Sequence, residues 1–115
     1  MAGSLVVCLP VGEDGRVGHS WGRAPRVAVG EVAEGRVLRW EEFAVGWDSL
    51  HDAAGEGSHH ARIASFLRDH EVQAVAAGHM GEPMRHMLAR MGIELRLGAE
   101  GEARAVALAL MEARS

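Results

Sequence analysis

The sequence contains a single cysteine, and this scarcity excludes several kinds of site. With Cys8 alone, the chain can form no internal disulfide and has no Cys-x-x-Cys pair for redox chemistry or metal binding. Proteins that lack disulfides are typical of reducing compartments, so we expect a cytoplasmic location.

Long apolar runs and a basic surface are also lacking. No segment approaches the roughly 18 consecutive apolar residues that a membrane-spanning helix needs, and no basic stretch precedes the first apolar run. The formal net charge is −4, and the arginines form no stripe along the sequence. We therefore expect neither a membrane nor a nucleic acid as partner.

The signatures of common catalytic sites are missing as well. There is no Gly-x-Ser-x-Gly elbow and no phosphate-binding Walker loop. A magnesium-dependent nuclease would need carboxylates on its central strands, and the first apolar run, residues 5–9, contains none. Asp14 and Glu82 are two isolated carboxylates in loops. The sequence therefore argues against nuclease activity.

The residues that are present fit one globular domain. The chain has 115 residues, of which 48% are hydrophobic, enough to bury a core. We therefore expect a single domain over residues 1–115. The 15 glycines indicate tight turns or backbone that closely approaches a ligand. The 7 histidines and 6 methionines make metal ligation worth testing.

Hydrophobic patterns in the first half of the chain predict strands. The continuous apolar run at residues 5–9 is typical of a central strand that is buried on both faces. A glycine-rich loop follows at residues 11–25. Residues 26–32 and 36–43 alternate around a short turn at 33–35, which predicts an antiparallel hairpin.

Helices and strands are predicted to alternate in the second half. After a crossover at residues 44–57, Ser58 is placed to cap a helix. The predicted buried face of this helix holds His59, Ile63, Phe66, Leu67 and His70. The remaining predicted elements are a strand at 72–77, a helix at 83–91, a strand at 93–97 and a helix at about 101–113. Gly92 is expected to cap the helix that precedes it.

This order of elements predicts an α/β fold with a mixed five-stranded sheet. The elements follow one another as β-β-β-α-β-α-β-α, so the first three strands form a meander and helices join the later ones. Right-handed crossovers then place the first strand at the centre, with the hairpin on one side and the last two strands on the other. The predicted strand order is 3-2-1-4-5, with helices flanking the sheet.

The turn after the fourth predicted strand is the first candidate site. Gly78 and Gly81 bracket His79 and Met80, and Pro83 then suits the first turn of a helix. The free N–H groups and the dipole of a helix start favour anions. The turn therefore indicates a soft-ligand or anion site. An ordinary strand-to-helix turn with one exposed histidine is the alternative.

A second histidine is expected to lie beside this turn. His19 follows the first strand and His79 follows the fourth, so both loops leave the same edge of the sheet if the two strands are parallel neighbours. Ligands of open α/β sheets bind at such edges. Arg23 and the backbone amides of the glycine-rich loops would favour an anionic ligand. His59, near a helix start, is a further candidate for this edge.

Each candidate also has a simpler explanation. His19 can be a solvated loop residue, and Met80 can pack beneath the sheet. His59 can cap its helix or face the solvent. Cys8 lies in the buried first strand and is expected to be a small core residue.

With these elements in place, the chain resembles the dinitrogenase iron–molybdenum cofactor biosynthesis family, which includes the nitrogenase accessory factor-like domains. Residues 17–25, Val-Gly-His-Ser-Trp-Gly-Arg-Ala-Pro, are similar to that family's His-Phe-Gly-Arg-Ala-Pro segment, with a serine inserted and Trp in place of Phe. The Gly-Ser-His helix start at 57–59 and the Gly-His-Met-Gly turn at 78–81 add to the resemblance. It extends over nearly the whole chain.

The resemblance implies a ribonuclease H-like sheet and the binding of a metal cluster or its precursor rather than catalysis. The implied ligand is an iron–sulfur or iron–molybdenum-type cluster, and the implied partners are proteins that donate or accept it. The candidate metal ligands are then His19, His79 and Met80. Further residues expected to contact the cluster are Gly22, Arg23, Gly78, Gly81, Glu82 and His59. We expect a monomer or a weak homodimer.

Two other functions stay open on the sequence. The chain could be a metal-independent protein-interaction or regulatory module. It could also be an enzyme that binds phosphate or another small anion at the turn formed by residues 78–82.

Overall fold

The computed structural model describes residues 3–49 and 56–113, which form a mixed sheet with helices on both faces. Its elements are β1 (Leu5–Pro10), β2 (Val27–Ala33), β3 (Arg36–Phe43), α1 (Glu56–Asp69), β4 (Ala74–Ala76), α2 (Glu82–Arg90), β5 (Glu94–Arg96) and α3 (Ala103–Ala113). The strand order β3-β2-β1-β4-β5 confirms the predicted α/β topology. β1 pairs antiparallel with β2 and parallel with β4, and β5 is parallel to β4.

β1 lies at the centre of the sheet and contributes to the core on both of its faces. On one face, Leu5, Val7 and Leu9 pack with buried residues of α3. On the other face, Cys8 belongs to a core that includes buried residues of α1 and α2. A strand that is covered on both sides needs a continuous apolar run, which is the pattern that predicted it.

The predicted hairpin is confirmed, and its turn explains the local sequence. Glu34 and Gly35 both have positive φ, 51° and 75°. This is the backbone of a two-residue turn whose twist matches that of the flanking strands. Further along, Glu31 pairs with Arg39 while Val32 pairs with Val37, so β3 carries one extra residue in a β-bulge.

The start of α1 differs from its prediction. The helix begins at Glu56, so Ser58 lies inside its first turn and the prediction that Ser58 is the N-cap is wrong. Gly57 costs the helix only about 1 kcal/mol relative to alanine. The predicted buried face is correct, since Ile63 and Leu67 are fully buried.

The remaining elements follow their predictions, with shorter strands. β4 and β5 each span three residues, because only these residues form the parallel ladder. The predicted cap at Gly92 is confirmed by its φ of +75°, a conformation that glycine adopts without strain. Within the described residues, no helix is long and apolar enough to cross a membrane.

Candidate functional site

Backbone hydrogen bonds join the loop after β1 to the turn after β4. The amide of His79 donates to the carbonyl oxygen of His19 at 2.6 Å, and the amide of Trp21 donates to that of His79 at 3.2 Å. Ser20 and His79 thereby form an isolated parallel bridge. Because β1 and β4 are parallel neighbours, both loops leave the sheet where these strands end. We call this side of the sheet, where β1, β4 and β5 all end, the carboxyl edge.

The two predicted histidines face each other at the carboxyl edge. The imidazole rings of His19 and His79 have centroids 6.0 Å apart and lie within 11° of parallel. Both side chains are exposed. The hydrogen bonds therefore fix the backbone beneath the rings, while the rings themselves stay open to a ligand.

Gly78 allows this close approach of the two loops. A Cβ atom at position 78 would lie 2.9 Å from the carbonyl oxygen of His19 and 3.1 Å from its Nδ1. A side chain here would therefore push the His19 loop away. Since Nδ1 is turned toward the backbone of Gly78, Nε2 is the nitrogen of His19 that is farther from the turn and better placed to bind a ligand.

Two clefts lie at the carboxyl edge, and each is lined by one of the two histidines. The larger cleft has a volume of about 460 Å³ and is lined by Arg16, Val17, His19, Gly78, Gly98, Ala99, Glu100 and Gly101. The smaller has a volume of about 250 Å³ and is lined by Ser20, Trp21, Gly22, Arg23, His79, Met80 and Gly81. His19 thus borders the larger cleft, and His79 borders the smaller one. The one beside Arg23 has no carboxylate in its lining, whereas the other has Glu100.

The start of α2 borders the smaller cleft. Gly81 is the N-cap residue and offers no side-chain hydrogen bond to the first amides of the helix. Uncapped N–H groups and the positive end of the helix dipole favour an anion. Glu82, in the first turn, is exposed and lies 3.9 Å from both Arg85 and His86 on the same helix. Its carboxylate is not part of the lining of either cleft.

Two of the predicted site residues are buried rather than exposed to solvent. Met80 is 4% exposed and belongs to the core on the α1 and α2 face, so its side chain takes the packing role that was the alternative for it. His59 is 1% exposed, and its Nε2 lies 2.6 Å from the carbonyl oxygen of Gly22. His59 therefore lies on the predicted buried face of α1, and the alternative that it caps its helix or faces the solvent is wrong.

The side chains that converge on this edge form a small donor set. Within the described residues, there is no group of three or more His, Cys, Asp or Glu side chains that could hold a metal ion. Cys8 is buried in β1, and burial raises the pKa of its thiol far above the usual range, so it is held as a neutral thiol. The imidazoles of His19 and His79 are the exposed donors that meet.

Two features of the site were missed from the sequence. The loop after β5, with Gly98 and Gly101, completes the larger cleft, and its position after a parallel strand was a signal that could have identified it. Trp21 and Trp47 are both buried and pack edge to face, with ring centroids 5.2 Å apart. No periodic pattern predicts the burial of Trp47, which lies in the predicted crossover.

Comparisons with known proteins agree with this architecture. Residues 3–113 match the profile of a family described as dinitrogenase iron-molybdenum cofactor. No curated protein sequence shows significant similarity to the chain.

Solved structures share the fold. The crystal structure of the protein PH0822 superposes with a TM-score of 0.75 at 20% identity, covering 95% of this chain and 90% of that one. The NMR structure of MJ0327 from Methanococcus jannaschii gives a TM-score of 0.65 at 13% identity, with coverage of 96% and 90%. The crystal structure of MJ0327 gives 0.64 at 14% identity with the same coverage. At these identities the likeness concerns the fold alone.

Proposed function

Because the chain belongs to the dinitrogenase iron–molybdenum cofactor family, we propose that it is a small carrier or chaperone for an anionic metal–sulfur cluster or its precursor. The cargo would be of the iron–molybdenum cofactor type and would bind at the carboxyl edge, between His19 and His79. The role is binding and transfer of the cluster, without catalysis, and the partners are the proteins that donate and accept it.

The observation that carries this proposal is the pair of exposed imidazole rings, 6.0 Å apart and nearly parallel. Neutral imidazole nitrogen is a ligand that suits iron and other borderline metals. Structural metal sites in proteins are usually closed by four protein ligands. A site with two exposed ligands leaves the remaining coordination to the sulfides of the cluster, and such a site can take up its cargo and release it.

The charges around the rings support a cargo that is anionic. Arg23 and the uncapped start of α2 both border the smaller cleft. In the larger cleft, Arg16 is accompanied by Glu100, whose charge opposes an anion. The smaller cleft therefore offers the more favourable electrostatic environment, and the body of the cluster would lie on the His79 side of the ring pair.

Anaerobic titration with a cluster donor tests the proposal, with uptake measured by visible absorption and by metal analysis. The wild-type chain should take up the cluster, and the double variant His19→Ala/His79→Ala should bind it more than about tenfold more weakly, a loss of at least about 1.4 kcal/mol. The matched control is His86→Ala, which removes an exposed imidazole on α2, and it should bind like the wild type.

Two results would contradict the proposal: no uptake by the wild-type chain, or equal uptake by the double variant. A pull-down that recovers the same partner protein after chelation of all metal would instead favour the metal-independent interaction module.

A further inference from the structure

His59 is a polar side chain that α1 buries in the core. It is 1% exposed and shares the buried face of α1 with Ile63 and Leu67. Placing an imidazole in a core costs free energy unless its polar atoms are hydrogen-bonded. The position therefore calls for an explanation that an aliphatic side chain could not provide.

The hydrogen bond of His59 is directed at the loop that carries the candidate ligands. Its Nε2 lies 2.6 Å from the carbonyl oxygen of Gly22. A carbonyl oxygen can only accept a hydrogen bond, so Nε2 carries the proton and donates. The acceptor belongs to residues 19–24, which we call the site loop.

Backbone hydrogen bonds connect the residue next to Gly22 with both histidines. Trp21, next to Gly22 in the chain, donates its amide proton to the carbonyl of His79. His79 in turn donates its own to the carbonyl of His19. The hydrogen bond from α1 thus holds Gly22, and two backbone hydrogen bonds join the neighbouring Trp21 to His79 and His79 to His19.

Aromatic rings also pack against the site loop, but this packing does not determine the exact position of the loop. The indole of Trp21 packs on Trp47, and Trp47 packs on Phe66 of α1, with ring centroids 5.2 Å and 5.7 Å apart. Packing between apolar rings tolerates small rotations and shifts. A hydrogen bond is directional and loses most of its energy when the donor angle is poor.

We propose that His59 is a positioning residue that holds the site loop through the Gly22 carbonyl and so sets the approach of His19 to His79. This role rests on the proposed cluster site and deepens it, because the exposed rings can bind one cargo together only while their loops stay in register. His59 itself is buried behind the loop and does not contact the cargo.

Variants of His59 separate this role from plain stabilisation of the core. His59→Leu removes the N–H donor and retains much of the volume. His59→Gln restores an amide N–H at nearly the same distance along the side chain. The matched control is Ile63→Val, which removes one methyl group from the same buried face and no hydrogen bond.

The first measurement is amide hydrogen exchange in the chain without cargo. In His59→Leu, the amides of Trp21 and His79 should exchange about tenfold faster, as expected for the loss of one hydrogen bond. Amides of the β1–β2 ladder, which report global opening, should change less. The ring resonances of His19 and His79 should shift. His59→Gln should reverse both effects, and Ile63→Val should show neither.

Equal acceleration of the loop and ladder amides, or no rescue by glutamine, would overturn the proposal and leave His59 a structural residue. Cluster affinity is the second measurement, and it should fall about tenfold in His59→Leu and recover in His59→Gln. An unchanged affinity would also count against the positioning role. A wild-type chain that takes up no cluster would overturn the proposed function instead, while the exchange data would still decide the role of His59.

Discussion

At the scale of single residues, the site depends on two side chains that the sequence separates widely. His19 and His79 meet because their loops follow neighbouring parallel strands, and the structure brings them together as predicted. Their role as metal ligands stays a prediction. Gly78 is needed between them, since any Cβ there would collide with the backbone of His19.

The buried thiol of Cys8 should make the free energy of unfolding fall as the pH rises into the alkaline range. The thiol is fully buried, and burial raises its pKa well above the ordinary value. In the unfolded chain a cysteine thiol has a pKa of about 8.5. Since the folded pKa is the higher one, the protonated thiol contributes its full stability below that pH, and stability is lost as the pH rises above it.

Above the pKa of the unfolded chain, the free energy of unfolding should fall by about 1.4 kcal/mol per pH unit. At pH 10 the total loss should be about 2 kcal/mol. Urea unfolding of the wild type and of Cys8→Ala at pH 7 and pH 10 measures it. The chain contains no lysine and no tyrosine, so few other side chains titrate in this range. The free energy of unfolding of Cys8→Ala should change less between pH 7 and pH 10 than that of the wild type. Parallel declines in the two proteins would contradict the assignment to Cys8.

At the scale of elements, Trp40 joins the hairpin to α3. Its ring lies so close to β2 that a Cβ at Gly30 would be 2.5 Å from its Cε3. The guanidinium of Arg104, on α3, lies 4.9 Å from the ring centroid, within the range of a cation–π contact. Gly30 is therefore required for the packing of this tryptophan and not for a turn.

Gly30→Ala should destabilise the fold by about 1–3 kcal/mol, because the added methyl group displaces Trp40. Trp40→Leu should relieve part of this clash, so the double variant should lose less than the sum of the single losses. Urea unfolding of the four proteins measures this coupling.

Gly57→Ala is the matched glycine control for this cycle. Among the described residues, no atom lies within 4 Å of a Cβ at Gly57, and alanine is the better helix former, so we expect a neutral or slightly stabilising effect. Additive losses at Gly30 and Trp40 would show that the clash is absorbed elsewhere.

The helices and strands differ in how well their ends follow from sequence. The hairpin turn was predictable because two alternating segments flank Gly35, and glycine adopts the positive φ that a tight turn needs. The start of α1 was not predictable, because Ser58 is a good N-cap residue and Gly57 is a poor helix former. Packing of Ile63 and Leu67 against the sheet outweighs both preferences.

At the scale of the whole molecule, β3 is an edge strand of the sheet, and an edge strand offers unpaired backbone groups to another chain. In the described part of the chain, β3 pairs with β2 alone. Arg39 on this edge lies 3.8 Å from both Glu31 and Glu41. Charges and a β-bulge on an edge strand oppose pairing with another chain. That the chain is a monomer or a weak homodimer stays a prediction.

Replacing the edge charges should promote association. Arg39→Val/Glu41→Val leaves the net charge unchanged but makes β3 a better strand, so sedimentation velocity should show a larger associated fraction than for the wild type. Arg68→Val/Asp69→Val, which makes the same replacement at the exposed end of α1, is the control and should sediment like the wild type. Equal behaviour of the two variants would contradict a protective role of the edge charges.

The sequence by itself determined the elements, their order in the sheet and the edge at which the two histidine loops meet. These features follow from local periodicity, turn chemistry and the geometry of parallel strands, all of which can be worked out along the chain. Only the tertiary structure decided that Met80 turns into the core and that His59 is buried against the Gly22 carbonyl. It alone decided the 6.0 Å separation of the imidazole rings. Such outcomes depend on which distant side chains fill the space around a residue, and local sequence carries no record of those neighbours.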